Sequence, residues 1–277
     1  MTFRLSKLHG LGNDFLVLLT DDAQLRSDRE LWSRRAQAWC HRHEGIGADG
    51  LILGTHGGPD ADLVMDLYNA DGSRAEMSGN GIRCLAHAEA RRRGEPKGTL
   101  SILTDGGLRS VEIEPGSDAS DPDRAIAAVD MGPGGPGPSP DRSETLPDAL
   151  VVAARSTTSD FGNPHLVLLV DDPAAVDLAA AGAAHESAYS DGMNVHFVAP
   201  TAGEVDAMTM RVWERGAGIT EACGTGATAV ARAANEWGLV GEHVTVHMPG
   251  GDVTVDVGET MVLHGPSVFI ADIEVGA

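Results

Sequence analysis

Short apolar runs alternate with polar, glycine-rich stretches along most of the chain. Phe15–Leu19, Leu63–Tyr68, Leu166–Val170, Val195–Val198 and Met208–Trp213 read as strands, and several shorter runs follow Val244. Asp28–Cys40 and Pro173–Glu186 read as surface helices. Two further helices begin at glycines, one from Gly79 to about Arg92 and one from Gly224 to about Trp237. The second is small and apolar nearly all round through Ala227–Ala234. Such a helix is buried on most sides.

The pattern is written twice. Gly12-Asn13-Asp14-Phe15-Leu16-Val17-Leu18-Leu19 returns as Gly162-Asn163-Pro164-His165-Leu166-Val167-Leu168-Leu169, 150 positions on. Met65–Asn69 returns as Met210–Glu214, and Ser78-Gly79-Asn80-Gly81 as Cys223-Gly224-Thr225-Gly226, both 145 positions on. Solenoid repeats recur every ~20–50 residues; collinear matches at this distance indicate a duplicated domain. The seam is placed at Gly132–Pro147, whose Pro-Gly run suits neither a helix nor a central strand. The expected lobes are residues 1–132 and 133–265, each with strands wrapped around one central helix.

Composition narrows the chemistry. The net charge of −21 disfavours a phosphate-backbone partner. No apolar run approaches the ~18 residues of a membrane span, and the first residues lack a signal-peptide core, so a cytoplasmic protein is expected. Only Lys7 and Lys97 are available to a pyridoxal Schiff base. Three cysteines, Cys40, Cys84 and Cys223, without a Cys-x-x-Cys, argue against a disulfide framework or a cysteine-rich zinc site. Neither a metal nor a cofactor is expected.

The two buried helix starts carry the candidate chemistry. Each has a polar side chain followed by Gly-x-Gly, which lets a ligand approach the backbone. Unpaired N–H groups and the positive dipole end form a cradle for a carboxylate or phosphate. A cysteine there is expected to have a lowered pKa, and Cys223 occupies that place. Two such starts acting on one small anion suit removal of a proton from one face of a carbon and its return to the other. Gly224–Ala229 also fits the dinucleotide fingerprint. Only about 50 residues follow it, too few for a doubly wound sheet. His165, within the duplicated motif, and Glu214-Arg215, at a strand end, are further candidates. Arg91–Arg93 read as complements to a helix dipole, and His41, His43 and His56 as surface residues.

Several motifs together resemble the diaminopimelate epimerases, cofactor-independent amino-acid racemases. They are Lys7–Phe15, Gly45–Gly50, Asn69–Ser73, Gly79–Cys84, Gly162–His165, Arg211–Gly218 and Ala222–Gly226. The resemblance implies an α/β fold of two pseudo-symmetric lobes, each a strand barrel around a central helix, with the active site in the cleft and the last strand, 266–277, returning to the first lobe. It implies interconversion of LL- and meso-2,6-diaminopimelate for lysine and peptidoglycan synthesis. It assigns Asn13, Asn69, Asn163, Asn194, Glu214 and Arg215 to the distal end of the substrate. The backbone around Gly79-Asn80 and Gly224-Thr225 is assigned to the reacting carboxylate, and His165 and Glu214 to the α-amino group or to tuning the site. The implied partner is a small molecule, with neither nucleic acid nor membrane, and a homodimer is admitted.

One position departs from the family. The catalytic cysteine expected immediately before Gly79 is Ser78, and Cys84 lies about one and two-thirds helical turns further on. Three readings stay open: an engineered replacement, a natural enzyme working slowly or with other help, or a changed reaction on another small carboxylate, as in sibling racemases, isomerases and dehydratases.

Overall fold

The computed structural model describes residues 2–118, 120–141 and 153–276. The chain forms two compact units, Met1–Asp130 with His264–Ala277, and Met131–Leu263. Residues 142–147 of the expected seam lie outside the described residues. Gly135–Pro136, within its first half, makes a two-residue pairing with Ser159 and Asp160.

The first unit contains β1 (Thr2–Gly10), β2 (Asn13–Thr20), α1 (Arg29–Cys40), β3 (Gly50–His56), β4 (Leu63–Asn69), β5 (Arg74–Ala75), α2 (Gly79–Arg93), β6 (Gly98–Thr104), β7 (Gly107–Pro115) and β8 (Arg124–Gly132). The second contains β9 (Gly135–Pro136), β10 (Arg155–Asp160), β11 (Pro164–Leu169), α3 (Leu178–Glu186), β12 (Asn194–Pro200), β13 (Ala207–Glu214), β14 (Gly218–Thr220), α4 (Gly224–Glu236), β15 (His243–Met248) and β16 (Gly251–Asp256). The final strand, β17 (Met261–Gly276), runs into the first unit.

The duplication is explicit in the pairing. β1–β2 is antiparallel, β2–β3 parallel, β3–β4 antiparallel, β4–β6 parallel and β6–β7 antiparallel. β10, β11, β12, β13, β15 and β16 repeat the same alternation. In the first unit β7 pairs with β8, β8 with β17, and β17 with β1, which closes an eight-stranded barrel. The repeated Asn turns share a cause: Gly12 and Gly162 hold φ of 83° and 96°, a region disfavoured for side-chain-bearing residues.

The strands of each unit wrap one helix. α2 packs on β1, β2, β3, β4, β6 and β7, and α4 on β10, β11, β12, β13, β15 and β16. All twelve positions from Gly79 to Ala90 are buried. α1 covers the outer side of the first strands, where Trp32, Ala36 and Cys40 join Leu16, Leu18, Leu51, Leu53 and Tyr68. α3 does the same in the second unit, with Leu178 and Ala181 against Val195 and Phe197. β2 and β3 are therefore covered on both faces, which explains their unbroken apolar runs.

The segment read as one helix over Pro173–Glu186 is two. A 3₁₀ turn at Pro173–Ala175, capped by Asp172, ends at Val176 in extended backbone. Asp177 then starts α3 by accepting a bond from the Ala180 N–H. Two capping aspartates five positions apart create two starts.

Arg92 and Arg93 do more than complement a dipole. The buried Glu89 carboxylate accepts from Arg92 Nε at 2.8 Å and Arg93 Nε at 2.6 Å. Burial alone would raise this carboxyl, but the two guanidiniums outweigh it and hold its pKa below 4.5. Its contribution is therefore present above the unfolded-state pKa and lost as pH falls through the lower folded value. Glu89→Ala should cost about 2 kcal/mol at pH 7. In urea melts, the gap between variant and parent should narrow below about pH 4.

Candidate active site

Cys223 is the N-cap of α4, in extended backbone with φ −134° and ψ 110°, and its side chain makes no capping hydrogen bond. The residue is 4% exposed. Thr225 Oγ1 lies 3.5 Å from Sγ, and the Glu214 carboxylate is hydrogen-bonded to it. Burial pushes the Cys223 thiol pKa up, and the Glu214 charge pushes it further. Thr225 and the Gly226 N–H, which face the sulfur, act the other way and are outweighed. The thiol is thus the resting form. The expected depression of the pKa is corrected: the helix start acts on a sulfur shielded from water and facing a carboxylate.

Beside it, His165 is fully buried, with Nε2 2.9 Å from Asn163 Oδ1 and Nδ1 2.9 Å from His196 Nε2. Asn163 Nδ2 donates to Thr225 Oγ1 at 3.4 Å. Asn194, opposite His165 across β11 and β12, donates to the Pro164 carbonyl at 2.8 Å and accepts from the Arg215 N–H at 3.0 Å. Thr220 donates its hydroxyl to Glu214. Cys223, Gly224, Thr225, Asn163, His165, Asn194, Glu214 and Arg215 all belong to the second unit.

The first unit holds Ser78, Gly79, Asn80, Asn13 and Asn69. Ser78 is the N-cap of α2, and its Oγ accepts from the Gly81 N–H at 3.1 Å. Asn80 Nδ2 donates to Asn13 Oδ1 at 3.1 Å, and Asn13 Nδ2 to Asp49 at 2.9 Å. Asn69 is not joined to this group by any bond described: it is exposed at the end of β4, and its amide donates to Ser73 Oγ at 3.0 Å, closing its own turn. Arg83, fully buried, donates to Asn80 Oδ1 at 2.7 Å, the Gly79 carbonyl at 3.0 Å and the Pro266 carbonyl at 3.3 Å. Burial lowers its pKa to about 10, which leaves it charged at neutral pH.

The sequence reading missed Arg83, Asp49 and His196. The signal for Arg83 was a charged residue one turn into an enclosed helix. The signal for His196 was a lone polar residue inside the apolar strand Val195–Val198. Gly226 also has a second reason to be glycine: a Cβ there would stand 2.3 Å from His196 Cε1. Among the described residues, no three His, Cys, Asp or Glu side chains gather as a metal site would require.

The whole fold is shared with solved proteins. A hydroxyproline epimerase from Agrobacterium vitis superposes with a TM-score of 0.73 at 16% identity, covering 99% of this chain and 92% of that one. A phenazine biosynthesis protein of the PhzF family from Bacillus anthracis superposes with a TM-score of 0.72 at 14% identity, over the full length of both chains. The architecture is therefore the two-lobed α/β fold of these proteins. Sequence comparison is more specific. The diaminopimelate epimerase profile matches residues 5–134 and 157–270. The diaminopimelate epimerase of Thermosynechococcus vestitus is 38% identical, with 92% of each chain covered. That of Zymomonas mobilis is 35% identical, with 98% of this chain and 96% of the relative covered. The chain belongs to the diaminopimelate epimerase family.

The position of Glu214 against the sulfur has a measurable consequence. Cys40 and Cys84 are buried, and burial drives both thiols to about 12. Peptide mapping after iodoacetamide should find Cys223 labelled slowly at neutral pH and faster as pH rises. Glu214→Gln removes the charge that holds this thiol up. Labelling of Cys223 should then quicken by about tenfold below its midpoint, the equivalent of one pKa unit. Cys40 and Cys84 should be unchanged.

Proposed function

We propose that this chain interconverts LL- and meso-2,6-diaminopimelate by moving the proton of one α-carbon, without a cofactor. The observation that carries the reading is Cys223, a thiol at the start of the enclosed α4 against Glu214, within the residues the family profile matches. Relatives of 35–38% identity are named diaminopimelate epimerase. On this reading Cys223 exchanges a proton on one face, and Ser78 stands at the position serving the other. His165 and Glu214 meet the α-amino group. An ammonium brought against Glu214 neutralises the charge that keeps the thiol protonated, so binding itself moves Cys223 towards thiolate. Asn13, Asn69, Asn163, Asn194, Glu214 and Arg215 hold the distal end, and the backbone at Gly79-Asn80 and Gly224-Thr225 the reacting carboxylate. For Asn69 this requires its amide to leave Ser73.

The proposal includes a cytoplasmic location and a homodimer, the latter to be read from sedimentation. No helix among the described residues is long and apolar enough to cross a membrane.

Ser78 favours a second reading, a one-sided enzyme. Its oxygen acts as a helix cap, whereas Cys223 caps nothing. A hydroxyl is also mismatched to proton transfer near neutral pH.

Incubation with LL-diaminopimelate in D₂O separates these readings. The chain should wash deuterium into one stereoisomer faster than it converts that isomer to the other. Ser78→Cys should raise conversion by roughly 10²–10⁴-fold, the usual worth of a general acid–base group. It should also lose about 1 kcal/mol of stability with the cap. Equal turnover by both proteins refutes the need for a second thiol. Absence of exchange in either isomer refutes the epimerase reading.

A further inference from the structure

The imidazoles of His165 and His196 meet inside the second unit, and the proton arrangement between them is constrained. Both are fully buried, and burial holds both neutral, His196 down to about 3 and His165 well below 6.5. A neutral imidazole has one donor and one acceptor nitrogen. Asn163 Oδ1 only accepts, so His165 carries its proton on Nε2, 2.9 Å away. His165 Nδ1 is then an acceptor, and the nitrogen 2.9 Å from it, His196 Nε2, must donate. Asn163 Nδ2 donates to Thr225 Oγ1, taking one of its lone pairs. The Thr225 hydroxyl hydrogen is left for Cys223 Sγ at 3.5 Å.

The reverse polarity is disfavoured by the far end. It would put a proton on His196 Nδ1, a buried atom with no hydrogen-bond partner. A buried N–H without an acceptor is the rarer orphan. The His196 ring is also held in place, because it occupies the space that a Cβ at Gly226 would fill.

We infer that His196 is a positioning residue. Its Nε2–H starts a one-way hydrogen-bond chain through His165, Asn163 and Thr225 that ends with the Thr225 hydroxyl turned onto Cys223 Sγ, favouring the thiolate. The inference rests on Cys223 being the acting thiol, as proposed above. The other groups acting on this chain are Glu214, from β13, against the sulfur, and Arg215, whose charge bears on His165. From α4 the Gly226 N–H also faces Sγ and lowers the thiol's pKa.

Two measurements on the full chain test it, and neither needs a substrate. In the ¹⁵N-labelled protein, two-bond ¹H–¹⁵N spectra should show both rings protonated at Nε2, with no titration between about pH 5.5 and 8. A proton on Nδ1 of either ring overturns the chain. The second is the pH profile of Cys223 alkylation by iodoacetamide, read by peptide mapping. His196→Leu should slow labelling roughly threefold to tenfold below the midpoint, an upward shift of about half to one pH unit. His196→Gln, whose amide places a donor near the lost Nε2, should restore it to within about twofold. Thr225→Val should reproduce the loss and Thr225→Ser should not, which keeps the test valid if His196→Leu fails to fold. Profiles that coincide in Thr225→Val and the parent refute the inference. A protein that shows these shifts but does not exchange diaminopimelate refutes the substrate assignment and leaves the chain standing.

Discussion

A helix enclosed on every side by strands has to satisfy its polar groups and fit its side chains without help from water. That constraint shapes both units. α4 meets it with near-minimal volume: Gly224 through Ala231, Ala233 and Ala234 are buried, and none is larger than valine. α2 admits larger groups, and each is matched: Arg83 to three oxygens, His87 to Ser267 at 3.2 Å, Glu89 to two arginines. The same enclosure puts the first-turn N–H groups of each helix inside the protein, where an anion would be their natural partner. The chemistry is a by-product of where the helices had to start.

The two starts are alike in backbone and unlike in what occupies them. At α2 a hydroxyl closes the first turn, with the buried cation of Arg83 one turn further in. At α4 the sulfur leaves the turn open, and an acid presses on it from β13. The charged neighbours differ too: Arg83 reaches Asn80 and the Gly79 carbonyl at the first start, whereas Glu214 faces Cys223 at the second. The duplicated scaffold thus keeps its order of strand pairing while the side chains at its two helix starts differ.

Much of this was legible in the chain. The repeat at 145–150 positions exposed the double architecture, because strand order is copied along with motif order. Strands such as Phe15–Leu19 could be read from unbroken apolar runs, and the enclosed helices from their small residues. What escaped depended on partners distant in sequence. The direction of the Cys223 shift is set by burial and by Glu214, nine positions back on another element, whose approach no local pattern encodes. His196 gains its meaning only because parallel pairing sets it beside His165. Asn69 is grouped with the other asparagines only by the family resemblance, and its amide closes a turn. The break at Val176 was missed because a second aspartate cap inside an apolar stretch resembles an ordinary exposed position.

The closing strand ties synthesis to folding. Thr2 pairs with Gly276, Phe3 with Val275 and Leu5 with Ile273, so the first barrel is completed by the last strand described. On the ribosome, β1 waits with one edge unpaired until β17 has emerged. The residues of the second unit are made before that closure, so the first unit cannot be completed ahead of them as an N-terminal domain usually is. An open strand edge invites pairing with other chains in the interval. The nascent protein is therefore most exposed to misassembly in its first-made half, and a premature stop ahead of β17 would leave that half unclosed.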